Sequence, residues 1–385
     1  MTDAVPYLSV VVTSRNDDHG GDLLRRMQIF VDGLLEQCRR HRLDAELILV
    51  EWNPPPDRPR LAEALRWPRS LVPGRVRVIE VPYARHRRFR HSEVLPLFQM
   101  IAKNVGIRRA RGRFVLATNV DVLFSDELMR FLASRGLDSD RMYRIDRYDA
   151  MSNVPFPAGL DEQLAFCRTH LLRVNTGEGT FRVEPDGRRL RASPARVAVR
   201  ALRRAARQGV RWLKTAAGGQ DPFRGLVNLH TNGCGDFTLL AREKWGELRG
   251  YPEFEMFSFH LDSVLCYAAH HGGATETVLA APMRIYHIEH ETGSGWTPEG
   301  QAELFGRLAV RGVPRLSHRT VLDWAVQMQE LRGPMVFNRD DWGLAAEEFA
   351  ETCPAASAGD DADVVSESPS ASVPSPVAGV GGGGR

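Results

Sequence analysis

The sequence predicts an α/β fold, a mostly parallel sheet flanked by helices, and three features of its first third predict it. Short apolar runs rich in β-branched residues fall at 7–13 (YLSVVVT), 45–50 (AELILV), 76–81 (VRVIEV) and 114–117 (FVLA). Such runs make strands buried on both faces. Segments of helical periodicity separate them, so strands alternate with helices as in a parallel sheet covered on both sides. Polar clusters follow the first, second and fourth runs, where ligands sit in open α/β sheets.

Taken in order, the first run is followed by SRNDDHGG, a polar turn rich in glycine. The next segment, LLRRMQIFVDGLLEQCRRHRL, places Leu24, Met27, Phe30, Val31, Leu34 and Leu35 on one helical face. The second run ends in Glu51-Trp52-Asn53 and three prolines, and the third comes after a short helical piece. Residues 96–112, PLFQMIAKNVGIRRARG, read as a helix with Gly112 as its expected C-cap. The fourth run then breaks into Thr118-Asn119-Val120-Asp121. Side chains two apart on an extended chain point the same way, so Asn119 and Asp121 can address one ligand together. A carboxylate that merely ends a strand would look the same at this point. Ser125-Asp126-Glu127 supplies an N-cap and an acidic first turn for the following helix.

Residues 136–175 carry few periodic signals. Composition changes over 176–220, where Arg200, Arg203, Arg204, Arg207 and Arg211 crowd an amphipathic stretch containing Val199, Leu202, Trp212 and Leu213. A basic amphipathic helix over 182–214 suits a peripheral contact with an anionic membrane surface. A solvated arginine-rich helix on an insertion fits the same residues. Nucleic acid is not an expected partner, because aromatic side chains that stack bases are nearly absent there. Residues 228–290 return to dense globular sequence. Residues 301–345 read as helical and end in VFNRDDWGL, whose Trp342 and Leu344 can dock a C-terminal arm. The tail, 352–385, is rich in Ala, Ser, Pro and Gly and is expected to be disordered.

A chain of 385 residues holds one large domain or two ordinary ones. Its 51 basic and 48 acidic residues nearly cancel, so the net charge of +3 singles out no partner. Five scattered cysteines do not make a disulfide framework or a zinc site and fit the reduced thiols of a cytosolic protein. The N-terminus lacks the pattern of a secretory signal, and no run approaches the ~20 apolar residues of a membrane span. The expected location is cytoplasmic, with any membrane contact peripheral, at the inner face of the cell membrane.

The stretches VVVTSRND, LILVEWN, AKNVGIRRARG and RFVLATNVDVLF occur in that order. Together they resemble the nucleotide-sugar half of inverting glycosyltransferases with the GT-A fold, most of all the large bacterial glycosyltransferase family 2 group. GCGDFTLLAREKWGELRGYPEFEMFSFHLDSVL is similar to the acceptor segment shared with galactosyltransferase-like families. The resemblance spans roughly residues 7–290. It implies a GT-A-like domain over 1–345, with a nucleotide-binding half at 1–135, the basic insertion at 176–220 and an acceptor and metal half at 228–300. It also implies transfer of a sugar, with inversion, from a UDP- or GDP-sugar to a glycan or lipid-linked acceptor. Mn²⁺ or Mg²⁺ would assist, as suits hard oxygen ligands.

Residue by residue, Asp121 matches the last acid of the family's Asp-x-Asp motif, and Asn119 stands where the first acid is expected. An amide there can still hydrogen-bond a ribose hydroxyl but brings no charge. Thr13 and Arg15 fall where the first loop meets the nucleotide. Glu51 matches an acid that contacts the nucleobase; an exposed strand end is the alternative. His287 matches a late histidine that completes metal coordination in several relatives, with His290 as competitor. The two share a site only if the chain turns after His287. Asp262 falls where relatives carry the carboxylate that deprotonates the acceptor, and it also stands where a helix N-cap is expected. Asp236, in GCGDF, is placed with the acceptor or the donor sugar. Two other readings remain. A sugar-nucleotide nucleotidyltransferase would carry a lysine in the loop after the first strand, and TSRNDDHGG has none. A non-catalytic glycan-binding module on the same fold is suggested by Asn119.

Overall fold

The structure is a computed structural model that describes residues 5–68, 74–184, 189–190, 223, 225–290 and 300–355. Strand β1 (Leu8–Ser14), helix α1 (Leu23–His41), strand β2 (Ala45–Trp52), the one-turn α2 (Leu61–Ala64) and strand β3 (Val76–Val81) open the chain. The one-turn α3 (Tyr83–His86), helix α4 (Gln99–Arg108), strands β4 (Phe114–Thr118) and β5 (Val122–Phe124) and helix α5 (Asp126–Ala133) follow. The weakly patterned region holds β6 (Arg141–Ile145), β7 (Arg147–Ala150), α6 (Leu160–Thr169) and β8 (Leu171–Thr176). Next come β9 (Gly179–Val183), β10 (Arg189–Leu190), β11 (Phe237–Ala241), α7 (Arg242–Leu248) and α8 (Leu261–His271). Strands β12 (Thr275–Leu279) and β13 (Ile285–Ile288), helices α9 (Gln301–Val310) and α10 (His318–Leu331) and strand β14 (Ala350–Thr352) complete it.

These strands form two sheets. The larger has the order β12-β6-β11-β4-β1-β2-β3-β14, and the smaller β10-β9-β8-β7-β13-β5. The expected parallel unit is present: β1 pairs in parallel with β2 and β4, and β2 with β3. Beyond it the larger sheet is mixed, because β11 lies antiparallel to β4 and β14 antiparallel to β3.

The period of two sends alternate residues of the same strands into different cores. Val11, Ile48, Val50 and Ile79 face α4 and α8, while Val10, Val12, Leu47 and Leu49 face α1. Met27, Phe30, Val31 and Leu34 of α1 are buried there, as the periodicity predicts. Each is worth about 1.5–3 kcal/mol of apolar burial. Ser125 caps α5 as expected, accepting a hydrogen bond from the Leu128 amide. Trp342 and Leu344 do bury the C-terminal arm, and the Arg109 guanidinium holds it by donating to the carbonyls of Gly343, Leu344 and Glu347.

Three local expectations are corrected. Helix α4 ends at Arg108, so Gly112 is not its C-cap. Gly112 instead lets β4 enter the sheet against β1: a Cβ there would lie 2.5 Å from the Ser9 nitrogen. Residues 301–345 are not one helical stretch but two helices and an extended arm, and the arm continues through β14, so Thr352 is ordered sheet rather than tail. The cap position of α8 is His260, which places Asp262 inside the first turn rather than at the N-cap.

The expected insertion begins as β9 and β10, the last two strands at one side of the smaller sheet, and its residues 191–222 lie outside the described residues. The same holds for most of the basic stretch 182–214 and for the tail from residue 356. Among the described residues, no helix is long and apolar enough to cross a membrane.

Candidate functional site

The site begins where β4 stops. Thr118 donates from its hydroxyl to the Asp236 carbonyl at 2.7 Å, and β5 resumes only at Val122. Residues 119–121 are thereby released from the ladder at the mouth of a cleft of about 640 Å³. Thr13 and Arg15, from the loop after β1, line the same cleft. Thr13 is tied by its hydroxyl to the Val50 carbonyl at 3.0 Å, and the Arg15 guanidinium lies 3.3 Å from Asp17.

Strand β13 carries the histidines into this cleft. It lies between β5 and β7, with His287 opposite Val122 on one side and Asp149 on the other. The Ile288 amide donates to the Asp121 carbonyl at 2.9 Å, which locks the end of β13 to the break after β4. The chain then turns, and His290 comes back to the same carboxylate. His290 Nε2 is 3.4 Å, and His287 Nε2 3.7 Å, from Asp121 Oδ2. His19 stands beyond them, its ring 5.9 Å from that of His290. The two histidines that sequence reasoning set against each other thus share one site. Burial works against ionising Asp121, but His287, His290 and Arg26 outweigh it and hold the carboxyl far below its usual range.

A divalent cation fits this cluster. Asp121, His287 and His290 can each offer one ligand atom within 4.8 Å of the others, and Asp121 Oδ1 is buried without a hydrogen-bond partner. One carboxylate with two imidazoles suits Mn²⁺ or a later transition ion better than Mg²⁺, which prefers oxygen ligands. Asp149, His287 and Glu289 form a second such group. There, however, Arg147 and Arg173 already press on Asp149, and Arg173 also reaches Glu289. A cation would sit among guanidinium groups, so the first cluster is the better site.

Two further carboxylates, Asp236 and Asp262, line the same cleft. Asp236 accepts from Arg147 Nη1 at 2.5 Å and from Asn119 Nδ2. Asn119 Oδ1 in turn accepts from Lys103 Nζ at 2.8 Å and Gln99 Nε2 at 3.1 Å. Asn119 is therefore committed to Lys103, Gln99 and Asp236 rather than to the histidine cluster, although it lies only two residues from Asp121. Asp262 lines the cleft from the first turn of α8, where its Oδ1 accepts from the Ser263 amide at 2.8 Å. A Cβ on Gly235 would be 3.1 Å from Asp262 Oδ2, so the glycine keeps space in front of that oxygen. Burial lowers the Lys103 ammonium to about 8, with Asp236, Asp262 and Asp121 pulling the other way.

Of the residues singled out in the sequence, Thr13, Arg15, Asn119, Asp121, Asp236, Asp262 and His287 line this one cleft, and Glu51 does not. Glu51 is neither an exposed strand end nor a lining residue. It is fully buried beneath the loop after β2, where it accepts from the Leu61 amide at 2.9 Å and caps α2. Burial raises its carboxyl to about 7. Sequence reasoning missed Lys103, Arg147 and Asp149. Lys103 sits in an apolar helix that gives no sign of a polar partner, and Arg147 and Asp149 lie in the region without periodic signals.

No known family model matches the chain, and no curated protein matches it. Among solved structures, the chain is similar to the catalytic domain of Drosophila β1,4-galactosyltransferase 7 in complex with xylobiose. That overlap has 12% identity, covers 82% of each chain and has a TM-score of 0.33. Staphylococcus aureus TarS 1–349 is similar at 13% identity, over 84% of this chain and 71% of that one, with a TM-score of 0.37.

Proposed function

We propose that the chain is a glycosyltransferase that moves a sugar, with inversion, from a nucleotide diphosphate donor to a hydroxyl of a glycan or lipid-linked acceptor. One observation carries the reading: a carboxylate with two imidazoles and two further carboxylates, Asp262 and Asp236, line one cleft. A bound divalent cation would act as the Lewis acid that neutralises charge on the departing diphosphate. Asp121, His287 and His290 would hold it.

The remaining work falls to this chain's own groups. Thr13 and Arg15 lie on the loop that would border the nucleotide. Asp262, with open space in front of Oδ2, takes the acceptor hydroxyl proton as general base, a role worth about 10²–10⁴-fold in rate. Asp236, already held by Arg147 and Asn119, is fixed in place and orients a sugar hydroxyl through a remaining lone pair instead. Attack from the Asp262 side on a donor whose leaving group faces Asp121 inverts the anomeric carbon.

The test is donor hydrolysis and thermal stabilisation across UDP- and GDP-sugars, with Mn²⁺, with Mg²⁺ and without either. A donor that binds only the folded chain raises its melting temperature. The expected result is stabilisation by one nucleotide class that depends on Mn²⁺. A chain that neither binds nor hydrolyses any of them is not this enzyme.

A further inference from the structure

Asp149 lies behind the cation cluster, on β7, in register with His287 of β13. It is completely buried, which is costly for a carboxylate unless donors surround it. Arg173 Nε at 2.9 Å and Asn175 Nδ2 at 3.1 Å fix its Oδ2. Its Oδ1 lies 2.8 Å from Arg147 Nε and 3.6 Å from His287 Nδ1. His287 Nδ1 is buried and makes no hydrogen bond. The imidazole nitrogen thus faces a carboxylate oxygen that is already ion-paired to Arg147, slightly too far away to bond, and it has no nearer partner.

We propose that Asp149 is a positioning residue for His287: it holds the proton on Nδ1 and turns Nε2 toward Asp121 and His290. This rests on the cation site proposed above and extends it to a residue that would never touch the ion. Three features support it. The pairing of β13 with β7 sets Asp149 and His287 side by side. Arg173 and Asn175 on Oδ2 and Arg147 on Oδ1 stop the carboxylate from rotating away, which keeps Oδ1 beside the imidazole. Arg147 and Arg173 also repel any cation from Asp149 itself, which leaves the carboxylate to act through the ring. A carboxylate behind a ligating imidazole fixes its tautomer and raises its basicity, and loss of such a partner usually weakens metal affinity about 10–100-fold. Arg147 bridges this group to Asp236, so Asp149 and Asp236 share one buried ion network.

Two measurements test the proposal. In the cation-free protein, nitrogen–proton correlation spectra of the histidine side chains, with His287→Gln to assign the signal, read the tautomer directly. His287 should carry its proton on Nδ1, and a proton on Nε2 overturns the proposal without any Asp149 variant. Mn²⁺ titration of Asp149→Asn, followed by electron paramagnetic resonance at a temperature where the variant remains folded, should show affinity weakened about 10–100-fold. The variant's His287 should lose its single tautomer. Unchanged affinity together with an unchanged tautomer overturns the assignment. A parent chain that binds no Mn²⁺ defeats the cation reading, and the tautomer of His287 then decides the Asp149 pair by itself.

Discussion

The ammonium of Lys103 lies 2.8 Å from Asn119 Oδ1, while Nδ2 of the same amide donates to Asp236. An amide can accept from a cation and donate to a carboxylate at once, whereas an aspartate can only accept. That explains asparagine at the position where the resemblance leads one to expect an acid. Asn119 is the neutral link between the buried Lys103 ammonium and the Asp236 carboxylate, and two histidines stand beside Asp121 instead of a second acid.

Lys103 gives the first prediction. Burial puts its ammonium at about 8 in the folded chain, against 10.5 for the free side chain. Between those values the unfolded state binds more protons, so this group's contribution to stability rises with pH across the window and is lost as pH falls through about 8. Lys103→Met removes that rise. Melting temperatures of parent and variant, compared from about pH 8 to about pH 10, should diverge in favour of the parent; a constant gap contradicts the assignment.

Glu51 behaves in the opposite sense. Burial raises it to about 7 from 4.5. The folded state therefore holds the extra proton between those values, and its contribution is full below about 4.5 and lost as pH rises through about 7. Glu51→Gln keeps the oxygen that caps α2 and carries no charge. The variant should melt higher than the parent at about pH 8 and match it near pH 5. A variant that melts lower at pH 8 would mean that the carboxylate form is the one the fold requires.

Asp121→Ala removes the only carboxylate of the proposed cation cluster. Mn²⁺ affinity, measured by calorimetry, should drop at least about 100-fold, and with it the stabilisation that Mn²⁺ and a nucleotide confer on the parent. Undiminished Mn²⁺ binding would move the ion away from Asp121.

Asp262→Asn retains shape and the bond from the Ser263 amide but cannot take a proton. With donor and acceptor in hand, turnover should fall about 10²–10⁴-fold while donor affinity holds. Asp236→Asn should act mainly on KM, since its oxygens orient rather than react. Normal transfer by Asp262→Asn beside an inactive Asp236→Asn would exchange the two roles.

Local physics in the chain was enough to determine much of the first third of the fold. β-Branched runs at 7–13, 45–50, 76–81 and 114–117 are strands because their side chains suit a sheet buried on both faces, and each appears within a residue or two of that position. The break at Asn119-Val120-Asp121 and the cap at Ser125 were legible because both are effects between near neighbours in sequence. Tertiary structure alone decided that His287 and His290 act together, because their meeting at Asp121 depends on pairing β13 with β5, which lies more than 150 residues earlier. Asp149 enters the site only through the register of β7 with β13, and Lys103 only because α4 lies across the end of β4. Glu51 carries the same acid at the same strand end in either case, and only the chain folding over it separates a ligand contact from a buried cap. Register and burial join residues that local pattern cannot relate, and the chemistry of this cleft is set by those junctions.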